Sequence, residues 1–146
     1  MIWNYSFETG VNEIDRQNFD LINHIEEMMQ PLDNRMKLMQ LIFFEELVKK
    51  YFSREQRLHD KNRYFSSEEH KFYHKAYLKV LQEKRRNFAK MGDTVEDGKI
   101  LVRDLFEFLK NHIMCHDKLF AYSYNYDKWY ENVGIGYEKT RATVAV

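Results

Sequence analysis

Ser66-Ser67-Glu68-Glu69-His70-Lys71-Phe72-Tyr73-His74-Lys75-Ala76-Tyr77-Leu78-Lys79-Val80-Leu81 is the stretch whose reading decides the fold. It opens as a capping box, in which the Ser66 hydroxyl can accept from first-turn amides and the Glu69 carboxylate can reach back. From there His70, Tyr73, His74, Tyr77 and Leu81, and Phe88 two turns further on, keep the three-to-four residue spacing of one helix face. That spacing places side chains on one face of an α-helix. The face is helical by its period, yet its first turn carries two imidazoles where a core stripe carries aliphatic groups.

The same period appears in three more segments. Ile14, Asn18, Leu21, Ile22, Ile25 and Met28 form a stripe that ends before Pro31. A second helix from about Met36 to Lys61 has Leu41, Phe44, Val48, Tyr51, Glu55 and Leu58 on its inner face. After a turn at Met91-Gly92-Asp93, with Asp93 and Glu96 as another capping box, Leu101, Leu105, Leu109, His112 and Ile113 make the last stripe, followed by His116 and Asp117. One proline and five glycines leave little punctuation for strands. Short connections between long helices make neighbours antiparallel, so the expected fold is all-α: an up-down-up-down four-helix bundle. An extended aromatic arm (residues 1–13, with Trp3, Tyr5 and Phe7) precedes it. The bundle domain is assigned to residues 1–120, with 121–146 as an aromatic C-terminal extension carrying Tyr122, Tyr124, Tyr126, Trp129 and Tyr130 before Gly134 and Gly136. That extension closes an end of the bundle, pairs with a second copy in a homo-oligomer, or is partly disordered beyond Gly136.

The chain has 146 residues, the size of one domain, and balances 23 Lys+Arg against 23 Asp+Glu. Balanced charge argues against a nucleic-acid binder, which needs a basic face to displace phosphate counterions. Cys115 is the single cysteine, so no internal disulfide calls for an oxidising compartment. No signal-peptide pattern opens the sequence and no apolar run approaches the ~20 residues of a membrane span, so a cytoplasmic location without membrane contact is expected.

Polar residues on the inward stripes carry the functional signal: Asn18, Tyr51, Glu55, His70, His74 and His112. Burying such groups without partners costs about 1–3 kcal/mol each, a large share of a total stability of about 5–15 kcal/mol. Something must compensate them. His70 and His74, one turn apart, have Cβ atoms ~5–6 Å from each other and can reach one ion. With His112, Glu55 and Asp117 they make a set of imidazoles and carboxylates suited to iron, manganese or zinc. The competing reading is a buried hydrogen-bond network. Cys115 and His116, beside Asp117, read as structural, and His24 as a flank residue. No Gly-rich phosphate loop, nucleophile elbow or H-E-x-x-H zinc motif is present, so no classical enzyme is indicated. Any redox activity would come from the metal.

At these residues the chain resembles the bacterial hemerythrin family. Trp3 followed by Thr9-Gly10-Val11-Asn12-Glu13-Ile14-Asp15-Arg16-Gln17 is similar to its T-G-V-x-x-I-D-x-Q-H signature. Tyr51-Phe52-x-x-Glu55 resembles its H-F-x-x-E, His70-x-x-x-His74 its H-x-x-x-H, and His112-Ile113-x-x-x-Asp117 its H-I-x-x-x-D. Order and spacing agree over residues 3–120. The resemblance implies a bundle enclosing two non-haem irons that bind O2. It implies that His70, His74 and His112 hold one iron, with Glu55 and Asp117 as bridging carboxylates. Asn18 and Tyr51 stand where the family has the two histidines of the second, O2-binding iron. Three readings follow. One ion is held by the surviving half-site, with a role toward O2, peroxide or iron itself; or two ions are held, with Tyr51 or His59 as replacement ligands; or the bundle is a metal-free interaction module. The family usually has Met at the position of His59, which completes a second site or else reaches solvent near the helix end.

Overall fold

The computed structural model describes residues 2–30, 33–91 and 95–133. Among them every regular element is helical: a 3-10 turn Tyr5–Phe7, α1 Asn12–Met28, α2 Asn34–Lys61, α3 Ser67–Met91, α4 Val95–His112, a π turn Ile113–Asp117 and α5 Lys118–Val133. Helix α1 packs on α2, α2 on α3, α3 on α4, and α4 returns to α1. The shared core draws Leu21, Ile22 and Ile25 from α1, Leu41, Phe44 and Val48 from α2, Tyr77 and Leu81 from α3, and Leu105 and Leu109 from α4. Each fully buried aliphatic side chain contributes about 1.5–3 kcal/mol of transfer free energy. That burial, more than helix propensity, holds the helices in place.

The entry to α1 is built by its own sequence. Gly10 takes φ +86°, a conformation that disfavours a Cβ. The Asp15 carboxylate then accepts from the Thr9 and Gly10 amides (2.8 and 3.0 Å) and from the Thr9 hydroxyl at 2.7 Å. The Asp15 side chain thereby ties down the loop that leads into α1. Helix α2 starts at an Asp33 cap, whose carboxylate accepts from the Met36 amide at 2.8 Å. It ends in a left-handed residue, Arg63 at φ 51°. The amides of Arg63 and Tyr64 bond back to the carbonyls of Asp60 and His59 at 3.2 and 3.0 Å. This Schellman cap satisfies two end carbonyls and folds Tyr64 back over His59.

Both ends of the chain depart from expectation. Residues 1–13 are not wholly extended: Asn4 caps the 3-10 turn, accepting from the Ser6 amide at 2.8 Å. Trp3 meets Phe7 and Phe19 edge-on at 5.5 Å. At the other end, helix continues past Asp117 through α5, and the expected boundary at residue 120 falls inside it. Phe120 and Ala121 are buried with Val11, Ile14 and Tyr64, whereas Tyr122 and Trp129 are exposed. Pro31, Gly92, Asp93, Gly134 and Gly136 lie outside the described residues. No helix among the described residues is long and apolar enough to cross a membrane.

Candidate metal centre

Three helical segments present five polar side chains to the same interior region. Helix α2 supplies Glu55 and α3 supplies His70 and His74; His112 ends α4 and Asp117 ends the π turn. The π turn matters for the last pair. On an α-helix, residues five apart stand roughly 140° around the axis. The wider π turn brings the fifth residue back toward the first, so His112 Nε2 and Asp117 Oδ1 are 3.1 Å apart.

Glu55 Oε1 is the hub. His70 Nε2 lies 2.8 Å from it, His74 Nε2 3.2 Å and His112 Nε2 3.7 Å. The four donor atoms all fall within 4.8 Å of one another, and all four residues are buried. An ion with bonds of about 2.1 Å separates adjacent donors by about 3 Å and opposite donors by about 4.2 Å. The group is therefore already near the size of one coordination sphere. Asp117 is fully buried, with Oδ1 3.4 Å from His70 Nε2. His70 Nε2, His112 Nε2 and Asp117 Oδ1 are buried yet have no hydrogen-bond partner among the described residues, because their close approaches lack hydrogen-bond alignment. Phe52 stacks on the His74 ring at 3.9 Å and 12°, fixing its plane.

Charge in the metal-free cluster is balanced internally. Burial opposes a charged His112, but the Asp117 and Glu55 carboxylates outweigh it and push the ring up to about 10. Burial likewise works against a charged His70, and the same two carboxylates raise it. Burial lowers His74. Burial also opposes ionisation of Glu55, yet the three imidazoles hold it well below the usual carboxylate range. Without an ion, a proton on His112 offsets the two carboxylates.

The remaining sequence candidates are placed differently from one another. Asn18 is buried and donates through Nδ2 to Asp117 Oδ2 at 2.9 Å, so it orients a carboxylate. Tyr51 does not join the cluster. Its hydroxyl donates to Asp20, and it lines a cleft of about 760 Å³ with Arg16, Gln17 and Arg54. Burial, then the Asp20 carboxylate, pushes its phenol up to about 12, the reverse of what a phenolate ligand needs. On α2 the expected Leu41, Phe44, Val48 and Glu55 are buried, but at two positions the inward residue is the next one along: Phe52 and His59 are buried, whereas Tyr51 and Leu58 are half-buried.

His59 corrects the solvent reading outright. It is 0 % exposed, and neither ring nitrogen has a hydrogen-bond partner among the described residues. His116 is half-buried with its ring 3.9 Å from that of Tyr73, and Cys115 is exposed. His24 sits on the flank of α1, its Nδ1 2.8 Å from the Asp20 carbonyl. Sequence reasoning missed the supporting roles of Phe52 and Asn18. The H-F-x-x-E spacing holds the signal for Phe52, since a residue three before Glu55 shares its face.

No model of a known protein family matches the chain, and no curated protein matches it.

Proposed function

We propose that the chain is a hemerythrin-like cytoplasmic protein, an antiparallel up-down-up-down bundle holding one non-haem iron ion. His70, His74 and His112 are its imidazole ligands, and Glu55 and Asp117 its carboxylate ligands. The observation that carries this reading is the buried group of Glu55 and three imidazoles, with donor atoms mutually within 4.8 Å. The four ordered motifs support it. Mixed imidazole and carboxylate donors suit iron, and also manganese or zinc, by ligand type. A bound iron would supply one-electron redox chemistry, fitting a role in sensing O2, peroxide or iron.

The chain's own residues prepare the site. Phe52 sets the His74 ring plane, and Asn18 holds Asp117 by one oxygen, leaving the other toward His70 and His112. Such support of ligands by neighbours typically changes metal affinity by about 10–100-fold. With Asn18 on Asp117 and Tyr51 on Asp20, neither position where the family has its second-iron histidines offers a ligand. That favours one ion over two.

Metal analysis of protein purified without chelators tests the reading. About one iron per chain is expected, lost in His74→Ala. Two irons per chain would sink the mononuclear version. No retained metal in the wild-type chain would leave the cluster as a structural ion-pair network.

A further inference from the structure

We infer that His59 is a fourth imidazole ligand of the metal centre, supplied by α2 one turn beyond Glu55. The inference rests on the proposed metal site and adds to it a ligand that the resemblance does not provide.

The ring is fully buried and has no hydrogen bond at either nitrogen among the described residues. Buried polar groups in folded proteins nearly always have a partner, so an imidazole with two open nitrogens calls for one. Its surroundings offer few. Phe120 of α5 lies 4.2 Å from the ring centre and Tyr64 5.1 Å, the latter brought there by the Schellman cap of α2. On the remaining side stand the His70 ring at 4.3 Å and Glu55, whose Oε1 is 3.8 Å from His59 Nε2. That distance is beyond a hydrogen bond. It falls inside the roughly 4.2 Å between opposite donors of an ion bound at about 2.1 Å. His59 is not one of the four donors mutually within 4.8 Å, so ligating the same ion would require its ring to move toward them.

A consistent donor pattern results. Helix α2 gives Glu55 and His59, α3 gives His70 and His74, and the end of α4 with its π turn gives His112 and Asp117. Each pair is one helical turn apart. Six protein donors would leave no open position on a six-coordinate ion, so an added anion or O2 would have to displace one of them. The two positions at which the family's second-iron histidines are missing, Asn18 and Tyr51, belong to other hydrogen bonds.

The test counts imidazoles on the iron-loaded full chain, by X-ray absorption and pulsed EPR. Four are expected in the wild-type protein and three in His59→Met. Chelator competition should show iron affinity lowered at least about tenfold by His59→Met, the size of effect known for weaker, outer contacts. Azide should perturb the iron spectrum of the variant and leave that of the wild type unchanged. Three imidazoles in the wild type, or equal affinity and azide response in the two proteins, would overturn the inference while leaving the metal site standing. A wild-type chain that takes up no iron, with His74→Ala indistinguishable from it, would defeat the metal-site reading and this inference together. If His59→Met fails to fold, the wild-type imidazole count decides alone.

Discussion

Replacing His59 by Met should stabilise the metal-free protein, and the gain should grow as the solution is acidified. The two side chains are close in volume, so the change exchanges polar atoms for apolar ones with little cavity or overpacking. In the wild type both ring nitrogens are buried without hydrogen bonds. Leaving one such group unsatisfied costs about 1–3 kcal/mol. Relief of a single nitrogen, at about 1 kcal/mol, raises Tm by roughly 4 °C in a chain of this size. Acid adds a second contribution. The ring's pKa is depressed to about 4 by burial, against an ordinary value of 6.5. Because the unfolded chain takes up the proton first, wild-type stability falls as pH drops from about 6.5 toward 4. At pH 5 that linkage amounts to about 2 kcal/mol beyond its value at pH 7. Met carries no such proton. Urea denaturation of both metal-free proteins at pH 7 and pH 5 measures the effect. A variant no more stable than wild type at pH 7, with the same difference at pH 5, would show that His59 is satisfied or solvated and would refute the reasoning.

Asn18→Leu removes the donor to Asp117 Oδ2 inside the core, so the metal-free protein should lose about 1.5–3 kcal/mol in urea titrations and the iron affinity should fall about tenfold or more. Arg63→Gly relieves a left-handed residue at the α2 cap and should gain about 0.5–1 kcal/mol by the same assay, with iron content unchanged. Iron uptake at pH 7 should expel about one proton from His112, whose pKa is pushed up to about 10, and a further share from His70. Calorimetry in buffers of different ionisation enthalpy reads that release, and apparent affinity should strengthen as pH rises from 6 to 8. In the metal-free protein the pairing of His112 with Asp117 contributes fully below about pH 6.5 and is lost as pH climbs through about 10; thermal melts above pH 9 should register the loss.

Much of the helical architecture can be read from the sequence because helical periodicity is local. Every residue of the first stripe, from Ile14 to Met28, is buried, as are Leu101, Leu105, Leu109, His112 and Ile113. The polar residues Glu55, His70, His74 and His112 stand out in the chain because they fall on stripes otherwise occupied by aliphatic and aromatic side chains. Asp117 follows the last stripe, and its burial depends on the π turn.

Tertiary packing decided the rest. Along the 28 residues of α2 a helix of 3.6 residues per turn drifts against any simple three-four count. By its second half, one residue of phase separates Tyr51 from Phe52 and Leu58 from His59. Packing on α3 resolved it, turning Tyr51 out to Asp20 and His59 inward beside His70. Asn18 became a hydrogen-bond donor through contact with a residue 99 positions away. The π turn that aligns His112 with Asp117 has no plain local signature, since Ile113-Met-Cys-His116 would also fit an α-helix. The sequence by itself determined four of the helices and their polar stripes; the structure alone decided that helix continues through α5 and which of those polar groups converge, because convergence depends on the rotation of each helix against its neighbours, and local period leaves that rotation free.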